Sequence, residues 1–164
     1  MSVGMVYMRP LRLAGVSVAE ASNKDICNVW SALHEWVTRK GFAHEVEVGY
    51  GLFLSNDEGT EYIAGIELPA TATAAEANEL TRAGLQGGAY LRRRFQGPFN
   101  AIPTEFEKMK QELSSEENIC YDADRPLVTV LLDIKQLCQQ PEIRSNLLIP
   151  VRGAQMTGRT TAAA

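Results

Sequence analysis

Residues 63–69, Ile-Ala-Gly-Ile-Glu-Leu-Pro, set one carboxylate, Glu67, inside an apolar, strand-like run. A carboxyl desolvated in such a setting has a raised pKa and can act as a general acid or base. Strict alternation groups Glu67 with Ile63 and Gly65, opposite Tyr62, Ala64, Ile66 and Leu68. If the second group is core, Glu67 faces water instead. Tyr90 and Tyr121 supply hydroxyls that can donate a proton to a leaving group. Trp36, Tyr50, Phe53 and Tyr90 are aromatics able to wall a pocket and stack on a planar ligand, and core packing is the competing reading for each. Arg92 belongs to an arginine triplet, Arg92 to Arg94, in a strand-like segment. Alternation puts Leu91, Arg93 and Phe95 on one face and Tyr90, Arg92 and Arg94 on the other, with Leu91 and Phe95 suited to packing under helices.

Other chemistries find no pattern. The two histidines, His34 and His44, form no H-E-x-x-H motif, and no metal site is expected. Gly87-Gly88 is not followed by Gly-Lys-Ser/Thr, so it opens no phosphate loop. Cys27, Cys120 and Cys138 form no C-x-x-C pair and fit reduced thiols in a cytoplasm. No cofactor is expected.

The elements that must position these residues follow from periodicity. Residues 10–20 alternate and read as a strand. Ser22 with Asp25 forms a capping box, and Ile26, Val29, Trp30, Leu33 and Val37 then make the apolar stripe of a helix closed by Gly41. GYGLFLSN and EYIAGIELP, joined through Gly59, read as a hairpin. Residues 70–88 are small and polar, a connector with a helical turn near Ala74 to Arg82. Ala89 to Gln96 is a second-half strand, and Asn100 to Leu113 a helix with Asn100 as N-cap. Pro126 to Ile134 and Ser145 to Arg152 are further strands. A shift of 76 residues lays Ile26, Trp30, Leu33 and Val37 on Ile102, Phe106, Met109 and Leu113. With the same element order in both halves, this predicts an internal duplication.

The chain has 164 residues, 45% hydrophobic and 22% charged, enough for one globular domain. A net charge of −4 argues against general nucleic-acid binding, which needs a basic footprint. No apolar run reaches bilayer-spanning length, and no signal peptide is seen, so a cytoplasmic location without membrane association is expected.

Trp30-x-x-Leu33-x-x-Trp36, Tyr62-x-x-Gly65-Ile66-Glu67-x-Pro69, Gly88-x-Tyr90, Gly97-Pro98 and the closing Leu148 to Val151 together resemble the GyrI-like small-molecule-binding domain, the effector-binding domain of bacterial multidrug-sensing activators. The resemblance covers about residues 9–152. It implies an α+β fold of two strand-helix-strand-strand modules with antiparallel sheets and two main helices, related by a pseudo-twofold around a ligand cleft. Module one would span about 9–69, the connector 70–87 and module two about 88–152, within one domain ending at 152. Residues 153–164 would form a disordered tail.

The family's pocket is lined by aromatics, often with a carboxylate that meets cationic or aromatic ligands. Many members carry a helix-turn-helix domain; this chain is expected to be a stand-alone member. One departure stands out. A glutamate and a tyrosine common in the penultimate strand are replaced here by Thr129 and Leu131, which with Arg92 and Arg94 predicts poor binding of cations. The expected function is binding of an aromatic or amphipathic drug, toxin or effector by Trp36, Tyr50, Phe53, Glu67, Tyr90 and Arg92. Two alternatives accompany it. One is a hydrolase of cyclopropane-type toxins using Glu67 with Tyr90 or Tyr121. The other is a protein-binding module for gyrase or a regulator, with the acidic stretch from Glu112 to Glu117 as its recognition surface.

Overall fold

The capping box and apolar stripe of the first helix form as the residue pattern requires. The structure, a computed structural model, describes residues 3–19, 22–56, 59–134 and 142–153. Helix α1 spans Asn23–Arg39; the Ser22 side chain accepts from the Asp25 amide while the Asp25 carboxylate accepts from the Ser22 amide. At its other end Gly41 adopts φ 81°, and the amides of Gly41 and Phe42 reach back to the Thr38 and Val37 carbonyls. In chain order α1 is preceded by β1 (Val3–Met8) and β2 (Leu11–Ala19) and followed by β3 (Gly49–Asn56) and β4 (Gly59–Ile66). The rest comprises α2 (Ala74–Ala77), β5 (Thr81–Leu85), β6 (Gly88–Gly97), α3 (Ile102–Ser114), β7 (Ile119–Tyr121), β8 (Leu127–Leu131) and β9 (Ile143–Gly153). Among the described residues no helix is long and apolar enough to cross a membrane.

All pairings are antiparallel, and the strands form one sheet ordered β1-β6-β9-β8-β3-β4-β2-β5, with β7 beside β9. Outward from the central β3–β8 pair both halves read alike: two strands that follow a helix, the strand that precedes it, and a short edge strand. The helix stripes match as well, since Ile26, Trp30, Leu33 and Val37 and their counterparts Ile102, Phe106, Met109 and Leu113 are all buried.

The sheet cannot be flat. In a flat sheet β1 and β2 would lie six strand spacings apart, about 29 Å. Yet Arg9 and Pro10 alone join them, and three Cα steps reach at most about 11 Å. Gln86 and Gly87 impose the same limit between β5 and β6. The register continues across both links: Met8 lies opposite Gly88, and Leu11, three residues on, lies opposite Leu85. The sheet therefore curls until its ends meet. That curvature encloses Leu11, Leu52, Ile63, Leu85, Tyr90 and Leu148 in an inner core with no helix over it. The outer face carries the larger core beneath α1 and α3.

Several expectations need correction. Residues 70–88 are not all connector: α2 stops at Ala77, and Thr81–Leu85 is a strand paired with β2. The N-terminal Val3–Met8 is likewise a strand, paired with β6. Asn100 is not an N-cap; it lies inside a 3₁₀ turn, Phe99–Ala101, and α3 begins after Ala101 with no side-chain cap. Cys138 and the tail from Ala154 onward lie outside the described residues.

Gly49 and Gly51 on β3 leave the outer face bare where α1 side chains descend. A Cβ on Gly51 would overlap the Tyr62 hydroxyl, which is fully buried and takes a 2.8 Å bond from Trp30 Nε1. Gly51→Ala is therefore expected to destabilise by about 1–3 kcal/mol through overpacking, although alanine is ordinarily favoured over glycine within a strand. Urea denaturation with an unchanged m-value checks this.

Candidate functional site

The residues singled out for binding do not gather at one place. Glu67 follows the end of β4, is 41% exposed, and forms a 2.8 Å ion pair with Arg9. It lines a cavity of about 490 Å³ together with Arg9, Arg12, Leu13 and Arg82. Tyr50 is half-buried beside it; burial, and then the Glu67 carboxylate to which it is hydrogen-bonded, raise the Tyr50 pKa against the opposing Arg9 charge. Tyr90 sits in the inner core, fully buried, and donates to the Gln86 carbonyl at 2.8 Å. Burial raises its pKa although the Arg125 guanidinium, 4.8 Å over the ring, opposes the shift. Arg92 and Arg94 are exposed on the face away from the helices, whereas Leu91 and Phe95 pack against the helix-side core.

Trp36 packs in the helix-side core, 5.9 Å from Phe42, and its indole N–H donates to Glu79 at 3.2 Å. The bond ties α1 to the segment after α2. The hydrogen bond from Lys40, helped by a weaker one from Trp36, holds the Glu79 carboxyl below its usual range against the opposing effect of desolvation. Tyr121 lies on β7 with the Lys110 ammonium 4.8 Å over its ring, and lines a cavity of about 340 Å³. Among the described cavities none contains two of Glu67, Tyr90 and Tyr121.

Phe53 is the exception among the aromatics. It stands on the outer face of β3, one of the two central strands, edge-on to Tyr62 at 4.9 Å and to Phe106 of α3 at 5.6 Å. Tyr62 in turn meets Phe99 edge-on at 6.4 Å and is held by Trp30. Burial lifts the Tyr62 pKa far above the ordinary phenol range, although the Trp30 N–H opposes the shift; the group is a neutral hydroxyl and no base. Thr129 lies directly opposite Gly51 on the β8 side and opposite Leu147 on β9. Cross-strand partners share a face, so its side chain joins this cluster. It is fully buried, and its hydroxyl has no hydrogen-bond partner. Phe53, Phe99 and Leu127 are half-buried and mark the side of the cluster open to solvent.

An aromatic seam thus lies where the two halves of the sheet meet, under α1 and α3. Of its rings, the residue pattern marks only Phe53 as a candidate pocket aromatic, with core packing as the competing reading; Tyr62, Phe99 and Phe106 are not singled out by it, and Trp30 reads as plain core. The signal was available: Phe53 and Tyr62 are cross-strand partners of the predicted hairpin, and Trp30 and Phe106 are equivalent under the 76-residue shift.

No family model and no curated protein matches the chain. Solved structures do. The protein SAV2435 bound to tetraphenylphosphonium is 13% identical over 95% of this chain and 97% of its own, with a TM-score of 0.63. A putative bacterial transcription regulation protein from Staphylococcus aureus MU50 is 13% identical over 93% and 99%, at 0.58. A hydrolase from Listeria innocua is 12% identical over 92% and 91%, at 0.63. At these identities the likeness establishes one thing, that this chain shares the α+β fold of those proteins along nearly its whole length.

Proposed function

We propose that the chain is a GyrI-like small-molecule-binding protein whose ligand sits in the aromatic seam between two duplicated modules. The observation that carries this reading is the Phe53–Tyr62–Phe99–Phe106 cluster at the junction of the two halves. Phe53 and Phe99, half-buried on its open side, present ring surface on which an aromatic guest can stack. Thr129 adds a buried hydroxyl with its donor free, suited to a neutral acceptor oxygen. A ligand-bound neighbour of the same fold, SAV2435 with tetraphenylphosphonium, supports a small-molecule role.

The preferred ligand is neutral. Of the two arguments against cations in the sequence, the arginines drop out, because Arg92 and Arg94 lie on the other face of the sheet. Thr129 still counts against cations: among the described residues the cluster contains no carboxylate, so a buried cation would lose its hydration without a counter-charge. Hydrolysis by Glu67, Tyr90 and Tyr121 draws no support from their separate positions.

Isothermal titration with triphenylphosphine oxide, a neutral aromatic bearing an acceptor oxygen, tests the reading. Saturable one-to-one binding at micromolar concentration is expected, weakened at least fivefold by Phe53→Ala. Unchanged affinity in that variant would place the ligand elsewhere.

A further inference from the structure

Arg93, the middle member of the arginine triplet, is 3% exposed on the helix side of β6. Its Nη2 pairs with Glu112 and its Nη1 lies 3.6 Å from Glu105, both on α3. Glu105 is shared with Lys108 at 3.2 Å. Two of the guanidinium donors, Nε and Nη1, have no hydrogen-bond partner. A buried charged group normally has every donor met, because an unmet one forfeits its hydration for nothing.

Arg93 also lines a cavity of about 360 Å³, within the range of small-molecule pockets, about 300–1,000 Å³. Its other walls are Leu91, Met109, Leu113 and Ile119, with Glu112 and Glu116 at the rim. None of the seam aromatics contributes to it.

The charges select the guest. A carboxylate or phosphate could bond to the guanidinium, but it would join Glu105, Glu112 and Glu116 around one arginine and be repelled. An ammonium would be drawn to those glutamates, yet it has no acceptor to offer Nε or Nη1. A plain hydrocarbon fills the apolar walls and leaves both donors unmet. A neutral acceptor oxygen on an apolar body satisfies all three constraints.

We propose that this cavity is a second binding site, independent of the seam, for a small neutral molecule carrying a carbonyl-type oxygen, such as an aryl ketone, amide or ester. The oxygen accepts from the buried, unpartnered Nε and Nη1 of Arg93, and the body packs on Leu91, Met109, Leu113 and Ile119.

Four matched probes test it on the full chain: acetophenone, ethylbenzene, benzoate and benzylamine, each followed by the methyl NMR signals of Met109 and Ile119. Acetophenone is expected to shift both signals saturably, at least tenfold tighter than ethylbenzene and tighter than either charged probe. Arg93→Met should abolish that preference for the ketone. Should Arg93→Met not fold, Glu116→Gln, an exposed change, serves: the affinity for benzoate relative to acetophenone should rise at least threefold there, and an unchanged ratio would count against the proposal. Equal binding of ethylbenzene, or tighter binding of benzoate or benzylamine, would overturn the proposal. So would an absence of shifts with all four probes, which would mean that water alone meets the donors.

Discussion

Phe106→Ala is expected to lower the unfolding free energy by about 3–5 kcal/mol, the range for deleting a large buried aromatic. For a chain of this size that is on the order of 10 °C in Tm. The size of the effect comes from where the ring stands. Phe106 projects from α3, in the second half, onto Phe53 of β3, in the first. It is 2% exposed, so its loss leaves a cavity that neither half closes alone. The edge-to-face contact adds about 0.5–1.5 kcal/mol beyond its buried area. The variant should also lose at least tenfold in affinity for a neutral aromatic ligand, since one wall of the seam is gone. Thermal denaturation read by circular dichroism measures the first effect and calorimetric titration the second. A loss below about 1 kcal/mol would mean that α3 is held to the sheet by other contacts.

Thr129→Glu is the second large change, and it acts in two directions. Position 129 is fully buried among the seam residues. A carboxylate there loses its hydration, an effective penalty of several kcal/mol for an unpaired ion, and Tm should fall by at least 10 °C at pH 7. Burial would raise its pKa, so the folded form binds a proton that the unfolded form releases. Stability should therefore be regained as pH falls below the raised value. The same carboxylate gives a lipophilic cation its missing counter-charge. Affinity for tetraphenylphosphonium should rise at least tenfold, and saturating cation should restore part of the lost Tm by mass action. Thr129→Gln has the same shape without the charge and should gain no cation affinity. If glutamine and glutamate behave alike, charge at position 129 does not govern the ligand.

Much of the architecture was legible because it rests on local rules. The Ser22–Asp25 capping box, the apolar stripe of α1 and the β3–β4 hairpin each follow from residue types at fixed spacing. The 76-residue shift matched helix positions that prove buried in pairs. What escaped depends on long-range pairing. Residues 81–85, Thr-Arg-Ala-Gly-Leu, carry little strand propensity and are a strand because β2 is there to pair with them. The N-terminal β1 is likewise set by β6. Neither edge strand pairs within its own stretch of chain, so no local pattern marks it.

The site was harder still. Alternation correctly split Tyr62 from Ile63, but the pattern cannot tell that a curled sheet buries both faces, one under helices and one against itself. That is why Tyr90, a pocket candidate by type, is inner core, while Arg93 is the buried arginine and its neighbours are exposed. Glu67 looked desolvated from its apolar neighbours; the strand ends at Ile66, and Glu67 turns out to meet Arg9.

The most direct test of the central claim uses the Trp36→Phe chain, which leaves Trp30, the residue holding Tyr62 in the seam, as the sole tryptophan. Its fluorescence is titrated with triphenylphosphine oxide and, separately, with tetraphenylphosphonium. A neutral-ligand seam predicts saturable quenching by the phosphine oxide at micromolar concentration and at least tenfold weaker response to the cation. Equal or tighter binding of the cation, or no saturable quenching by the neutral compound, would contradict it.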